Sequence, residues 1–481
     1  MNSLVGEAST AARPGRAQAG AVAQAGAVAQ AGAVAQAGAV AQAGAVAEAG
    51  PTEPRPGSPG RGRPTVLYYC QHSVGLGHLV RSLAIAAALS REFRVVLMSG
   101  GAVPSGLTVP PGVELVPLPA IGSSDGEGKA LVSREPGLDL ETVWSRRRSV
   151  MFSLLDELAP VAIVVELFPF GRRQFAPEIT AFLERARRLA SRPAVVSSVR
   201  DILVRGGPNQ PARDDEAAVR LNRYFDLVVV HADPRFARLE ETFRPSVPLR
   251  LPVRYSGFVV PAVPAVPASE PPASSRWSAL DPCQHPCEAV QVVVSAGGGM
   301  TGAPLMRAAG EAHCRHLSRL GLATRLVTGP FLPDREMAAL QDLAAGCPGL
   351  SVERFVPDLR AVLAVAAVSV SRCGYNTSLD LLRTGVPALV VPYDEGSQTE
   401  QADRARRLAS LGAVRVLPAK DLSADRLASE VVGLLSSTPT PVALDLSGAE
   451  ATAAAVAQLV SRRASTEVGI GTGAGPFVGC A

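Results

Sequence analysis

Gly75-Leu76-Gly77-His78 follows a short apolar run at 66–70. Two glycines keep such a loop thin, so a ligand can approach the backbone. His78 then falls at the start of a helical pattern. A helix N-terminus disfavours a charged imidazole, and the neutral form is the one a general base needs. The competing reading of His78 is a capping or buried structural histidine. Glu166 closes another apolar run at 161–166, and an acid at that strand end can orient the imidazole. Arg172 and Arg173 are its alternative partners, and Arg200-Asp201 after the next strand reads as a surface ion pair. The third glycine of a dinucleotide fingerprint would stand at Val80, so an NAD site is disfavoured.

A second set of polar groups lies in the other half of the chain. Gly297, Gly298 and Gly299 follow a strand and offer backbone N–H groups to an anion, with Gly298 and Gly299 as the contacts. No Gly-Lys-Ser/Thr ending follows, so nucleoside triphosphate hydrolysis is not supported. The segment 371–401 reads as loop, helix, turn, strand and polar loop. Ser371, Arg372 and Gly374 sit where a phosphate can meet the next helix, which Asn376, Thr377 and Ser378 are placed to cap. Asp380 comes one turn later, within reach of ribose hydroxyls. Glu400 and Gln401 end a loop suited to sugar hydroxyls. Asp394 and Glu395 form a solvated loop rather than a metal site.

The elements that hold these groups alternate. Strands are expected at 66–70, 94–98, 113–118, 161–166, 194–199 and 227–231, with helices at 78–90, 150–158 and 178–190. The rhythm resumes after a Pro-rich break, with strands at 290–296, 324–328, 351–355, 368–371, 388–391 and 413–417. Helices are expected at 305–320 and 423–435. This predicts an α/β protein of two Rossmann-like, doubly wound domains facing a cleft. The domains are placed at 65–260 and 289–440. Residues 1–64 read as a disordered AQAGAV repeat and Pro-rich linker, 261–288 as an interdomain linker, 441–463 as a helix and 464–481 as a tail.

Composition narrows the partners. The chain has 481 residues, and 47 basic against 43 acidic residues leave a near-balanced charge of +4. No basic stripe with interleaved aromatics supports nucleic-acid binding. No secretory leader or membrane span is read. Seven scattered cysteines predict no disulfide framework and fit a reducing cytoplasm. Cys283 and Cys287, with His313, Cys314 and His316, have weak zinc-site spacing, and a variable linker is the preferred reading.

Taken in this order, these motifs resemble GT-B glycosyltransferases. They are most similar to the bacterial N-acetylglucosaminyltransferases that make the peptidoglycan lipid precursor, and to predicted transferases sharing the family 28 C-terminal domain. Ser371-Arg372-Cys373-Gly374 matches that family's Ser-Arg-x-Gly. Asp380 falls at its ribose-binding Glu and Glu400-Gln401 at its Gln-Gln pair. Gly297–Gly299 matches its interdomain Gly-rich loop, and Gly75-Leu76-Gly77-His78 the end of its N-terminal one. The resemblance implies inverting, metal-independent transfer of a hexose, without a cofactor, from a nucleotide diphosphate sugar, UDP-linked by preference. The acceptor would be a small molecule, a glycan or a lipid-linked intermediate. The setting would be cytoplasmic, extending to peripheral contact at the inner membrane face. Gly-Leu-Gly-His-x-x-Arg is also similar to hydrolases of nucleotide-linked sugars. Water is then the acceptor; a non-catalytic sugar-nucleotide binder is the third reading.

Overall fold

Long Val-rich runs without polar alternation mark strands covered on both faces, as parallel sheets require. Two such sheets form in the computed structural model. It describes residues 62–72, 77–103, 107–123, 130–205, 209–261, 291–356, 358–394 and 399–471. The hexapeptide repeat, nearly all of the Pro-rich segments, Gly75, Glu395, Cys283, Cys287 and the tail beyond 471 lie outside the described residues.

The first sheet is built from β1 (Thr65–Cys70), β2 (Arg94–Ser99), β3 (Val113–Pro117), β6 (Ala162–Glu166), β7 (Ala194–Arg200), β8 (Leu227–His231) and β9 (Val253–Tyr255). All pairs are parallel, in the order β3-β2-β1-β6-β7-β8-β9. A small antiparallel pair, β4 (Ile121–Ser123) with β5 (Leu131–Ser133), sits apart. The helices of this half are α1 (Gly77–Leu89), α2 (Leu140–Leu158), α3 (Ala176–Ala186), α4 (Gln210–Tyr224) and the short α5 (Leu239–Thr242).

The second sheet contains β10 (Gln291–Ser295), β11 (Ala323–Val327), β12 (Leu350–Glu353), β13 (Val368–Ser371), β14 (Ala388–Val390) and β15 (Arg415–Val416). Its order is β12-β11-β10-β13-β14-β15, again parallel throughout. Its helices are α6 (Ala303–Arg315), α7 (Asp334–Ala345), α8 (Leu359–Ala364), α9 (Tyr375–Thr384), α10 (Glu400–Ser410) and α11 (Ala424–Leu435). The last helix, α12 (Gly448–Gly471), returns to the first domain. Its Ala449, Ala453 and Val456 share a core with Leu79 and Ile85 of α1 and Val66 of β1.

The strand orders locate the crevices. In the first sheet the chain reverses its direction of build between β1 and β6. In the second it reverses between β10 and β13. Loops leaving the carboxyl ends of strands at such a switch point diverge and leave room for a ligand.

Two helices were underestimated or missed in the sequence for one reason. In α2 the buried residues are Val143, Arg147, Met151 and Leu155, one every fourth position, so an arginine fills a core slot. Arg147 is fully buried because Glu178 takes its Nε and Nη2 at 2.8 Å and the Gly100 and Pro119 carbonyls take Nη1. In α10 the buried face is Glu400, Arg404, Ala405 and Leu408, where Arg404 again occupies a core position. Hydrophobic periodicity cannot see a buried ion pair.

The cysteines also differ from expectation. Cys314 and Cys347 form a disulfide with Cα atoms 5.5 Å apart, joining the end of α6 to the turn after α7. This removes Cys314 from any zinc set. His313 is buried between the Thr324 hydroxyl and the Pro348 carbonyl, both at 3.0 Å, and His316 faces Asp425 at 2.6 Å.

Candidate active site

β1 and β6 are neighbours, so the groups after them meet. His78 is the second residue of α1, and Glu166 is the last residue of β6. The His78 Nδ1 lies 2.6 Å from Glu166 Oε1. Glu166 is wholly buried, while the His78 side chain keeps 21% exposure toward the cleft. Burial opposes charge on Glu166, yet His78, Arg81 and Arg172 together hold its carboxyl below the usual range. Arg81 Nη2 donates to Oε1, and Arg172 Nη2 stands 3.6 Å from Oε2. Burial, opposed by Glu166, lowers the His78 imidazole to about 3, with Arg172 and Arg81 adding to the shift. An ionised carboxylate only accepts hydrogen bonds, so Nδ1 carries the proton and Nε2 is the basic nitrogen.

The loop after β6 is wound tightly to bring Arg172 back over the carboxylate. Leu167 and Arg172 both adopt left-handed backbone, with φ of 60° and 59°. Non-glycine residues hold such angles only when their surroundings fix them. Here the Leu167 N–H donates to Ser198 O at 2.8 Å, the Gly171 N–H to Leu167 O at 2.7 Å, and the Ser197 hydroxyl to Phe168 O at 2.7 Å.

The second switch point carries the other set. Ser371 is buried at the end of β13, and the buried Arg372 donates to the Val391 and Thr301 carbonyls at 3.1 and 2.9 Å. Gly374 is the N-cap of α9, in extended conformation with no side-chain cap bond. Asn376, Thr377 and Ser378 therefore do not cap the helix, as the sequence suggested, but fill its first turn. The Ser378 hydroxyl turns back to the Gly374 carbonyl at 2.8 Å. Among the described residues no side chain caps the amides of this helix start, an arrangement that suits an anion.

Gly299 needs its lack of a side chain. Its φ is +90°, and a Cβ there would stand 2.5 Å from the Thr328 carbonyl. Gly298 accepts from the Phe331 N–H at 3.0 Å, which pins the β10 and β11 loops together beside the site. Asp380 is half-buried on α9. Burial raises its carboxyl to about 6; Arg383 opposes this, Asp358 adds to it and Arg360 opposes it.

The two sets face each other. Asn376 Nδ2 donates to the Gly77 carbonyl at 3.3 Å, so the starts of α9 and α1 touch. Glu400 and Gln401 are not free loop residues. Glu400 opens α10 and its carboxylate is held by Arg200 of the first domain, with Nη1 to Oε1 at 2.9 Å. Gln401 accepts from the Tyr393 N–H at 3.1 Å. Arg200 and Asp201 do not form the expected surface pair, since Asp201 instead takes Arg404. Arg172, read as an alternative partner of Glu166, stands beside its carboxylate together with His78. Arg81, Asp201, Tyr375 and Arg404 were given no role at the site in the sequence. The arginine in Gly-x-Gly-His-x-x-Arg, one helical turn beyond His78, was the available signal for Arg81.

A cavity of about 410 Å³ lies elsewhere, against Val229, Tyr255, Ala451 and Gln458 under α12. It shares no residue with the dyad. Among the described residues no group of three or more His, Cys, Asp or Glu is arranged to hold a metal ion.

Residues 293–460 match the glycosyltransferase family 28 C-terminal domain. The match lies in the second half of this chain. The chain is 30% identical over 191 residues to the UDP-N-acetylglucosamine--N-acetylmuramyl-(pentapeptide) pyrophosphoryl-undecaprenol N-acetylglucosamine transferase of Methylobacterium radiotolerans. That match covers 39% of this chain and 50% of the relative. The same-named protein of Lactiplantibacillus plantarum is 28% identical over 141 residues, or 29% of this chain and 39% of its own. The chain thus spans half or less of these relatives. A solved Medicago truncatula structure complexed with UDP-glucose covers 83% of this chain and 98% of its own, with 13% identity and a TM-score of 0.50. That likeness is one of fold: two facing Rossmann-like domains, the GT-B arrangement. The matched segment contains Gly298, Gly299, Ser371 to Asp380, Glu400 and Gln401. His78 and Glu166 lie outside it and rest on their geometry alone.

Proposed function

We propose that the protein is a glycosyltransferase that moves a sugar from a nucleoside diphosphate sugar to an acceptor hydroxyl. One observation carries this reading. The uncapped start of α9 stands against the start of α1, beside the His78–Glu166 dyad. A leaving diphosphate is favoured by the first, and a hydroxyl is deprotonated by the second, across one cleft.

In this reading the diphosphate sits at Gly374, Asn376 and Thr377, near Gly298 and Gly299, with Ser371 and Arg372 shaping the floor. Asp380 takes the ribose. Phe355, exposed two residues beyond β12, offers a ring face for the base. His78 Nε2 receives the acceptor proton as the acceptor oxygen bonds to the anomeric carbon. The bond to the phosphate oxygen breaks on the opposite face, which inverts that carbon. Helix amides and Gly-loop N–H groups meet the developing charge, so the step asks for no metal. Gly75 and Gly77 keep the acceptor loop thin. Gln401 lines the sugar end; Glu400 joins it only by releasing Arg200.

The relatives' names favour UDP-N-acetylglucosamine as donor and an undecaprenol-linked acceptor. In this reading the reaction runs in the cytoplasm at the membrane face. No helix among the described residues is long and apolar enough to cross a membrane.

The test is a thermal-shift panel of nucleoside diphosphates on the wild-type chain and Asp380→Ala, followed by UDP-N-acetylglucosamine turnover. A ligand at one hundred times its Kd adds about 2.7 kcal/mol. UDP should stabilise the wild type and not the variant. Sugar release without acceptor would make the protein a hydrolase, and binding with no turnover under any acceptor would leave a binder. No response to any nucleoside diphosphate would overturn the donor site.

A further inference from the structure

Arg81 is 2% exposed and serves two domains at once. One end of its guanidinium donates to Glu166 Oε1 and lies 3.2 Å from His78 Nδ1. Its flat face covers the ring of Tyr375, with the central carbon 5.1 Å from the centroid. Tyr375 is the first residue of α9, so this ring hangs from the helix assigned to the diphosphate. The ring is fixed on its far side. The Tyr375 hydroxyl donates to the His231 carbonyl at 3.1 Å and accepts from the Val259 N–H at 3.0 Å. Arg404 also stacks on the ring, at 5.9 Å. Among the described residues Arg81 Nε has no hydrogen-bond partner, and the guanidinium is held by its carboxylate and by the aromatic face.

We propose that Arg81 and Tyr375 are positioning residues that tie the start of the anion-binding helix to the base dyad. Tyr375 sets the plane of Arg81, Arg81 sets the Glu166 carboxylate, and Glu166 sets the tautomer of His78. Neither residue touches substrate. The inference rests on the reading of His78 as the base, and it makes the base ready only when the start of α9 is seated against the first domain. The charged groups that face His78 are Glu166, Arg81 and Arg172.

The histidine side chains of the full-length protein report this directly in nitrogen-15 spectra. In the wild type, His78 should hold one tautomer, protonated at Nδ1, from pH 8 down to about 5. Tyr375→Leu and Arg81→Lys should mix the tautomers, because the Glu166 carboxylate no longer holds one orientation against Nδ1. Tyr375→Phe keeps the ring face and should look like the wild type. A cooperative melting transition without ligand reports folding in each variant; if Tyr375→Leu does not fold, Arg81→Lys and Tyr375→Phe decide. An unchanged His78 tautomer in a folded Tyr375→Leu or Arg81→Lys protein overturns the proposal, as does a Tyr375→Phe protein that behaves like Tyr375→Leu. His78→Gln that still turns over UDP-N-acetylglucosamine overturns the base reading instead, and leaves the tautomer result standing.

Discussion

Arg404 holds Asp201 through two bonds of 2.8 Å, Nε to Oδ2 and Nη2 to Oδ1, across the junction of the two domains. Both side chains are essentially without solvent contact. The third arm of Arg404 donates to the Cys373 carbonyl at 2.9 Å, inside the Ser-Arg-Cys-Gly loop. The pair therefore ties the Ser-Arg-Cys-Gly loop to the end of β7. Removing one partner strands the other charge in a dry site, so Asp201→Ala should cost about 3–5 kcal/mol. Urea unfolding measures it. Replacing both residues with apolar ones should recover part of the loss, and a cost below about 1 kcal/mol would mean the junction opens freely in solution.

His78 should stay neutral throughout the range where the enzyme works. Its imidazole lies at about 3 in the folded chain, below the ordinary 6.5. Folding therefore favours the neutral ring. That contribution is complete above pH 6.5 and is lost progressively as pH falls toward 3. Wild-type stability should decline over this window, and His78→Gln should remove that part of the slope. Turnover should show no acid limb centred on 6.5. His78→Ala should lower the rate about 10²–10⁴-fold. A rate that halves near pH 6.5 would place the proton elsewhere.

Asp380 behaves with the opposite sign. Its carboxyl is raised to about 6 from an ordinary 3.8, so the folded chain holds that proton more tightly than the unfolded one. Stability is lost as pH rises from about 4 to 6 and stays lower above that. Asp380→Asn should therefore stabilise the empty protein at pH 8, by about 1–3 kcal/mol, while weakening UDP binding. Calorimetry read beside a UDP titration separates the two effects. A variant that gains stability and binds UDP as before would remove Asp380 from the ribose.

Gly299→Ala should fail at two levels. The backbone angle of +90° disfavours any side chain, and the added Cβ would meet the Thr328 carbonyl at 2.5 Å. The β10 and β11 loops must separate to accept it. We expect a loss of about 1–3 kcal/mol in thermal unfolding and weaker UDP binding. Gly321→Ala is the control, since its angle of +70° is similar but its surroundings are open. Equal UDP affinity in both variants would place the Gly-rich loop away from the diphosphate.

The chain alone determined the strands and the places where they end. Val-rich runs such as 162–166 and 292–294 can only be strands buried on both faces, and the Gly and polar residues after them mark the carboxyl edges. His78, Glu166, Gly299 and Gly374 were legible for that reason. Only the tertiary structure decided which edges are adjacent. The order β1 beside β6 brings Glu166 to His78, and the contact of α9 with α1 brings the second domain to the first. It also decided the fate of the charges. Arg81, Arg147 and Arg404 read as surface residues one by one, because an arginine is normally solvated. Each is buried here because a carboxylate distant in sequence meets it, and such a pairing has no local signature. Glu400 is the converse case. Its place in a polar loop suggested a free ligand, and the fold gave it to Arg200.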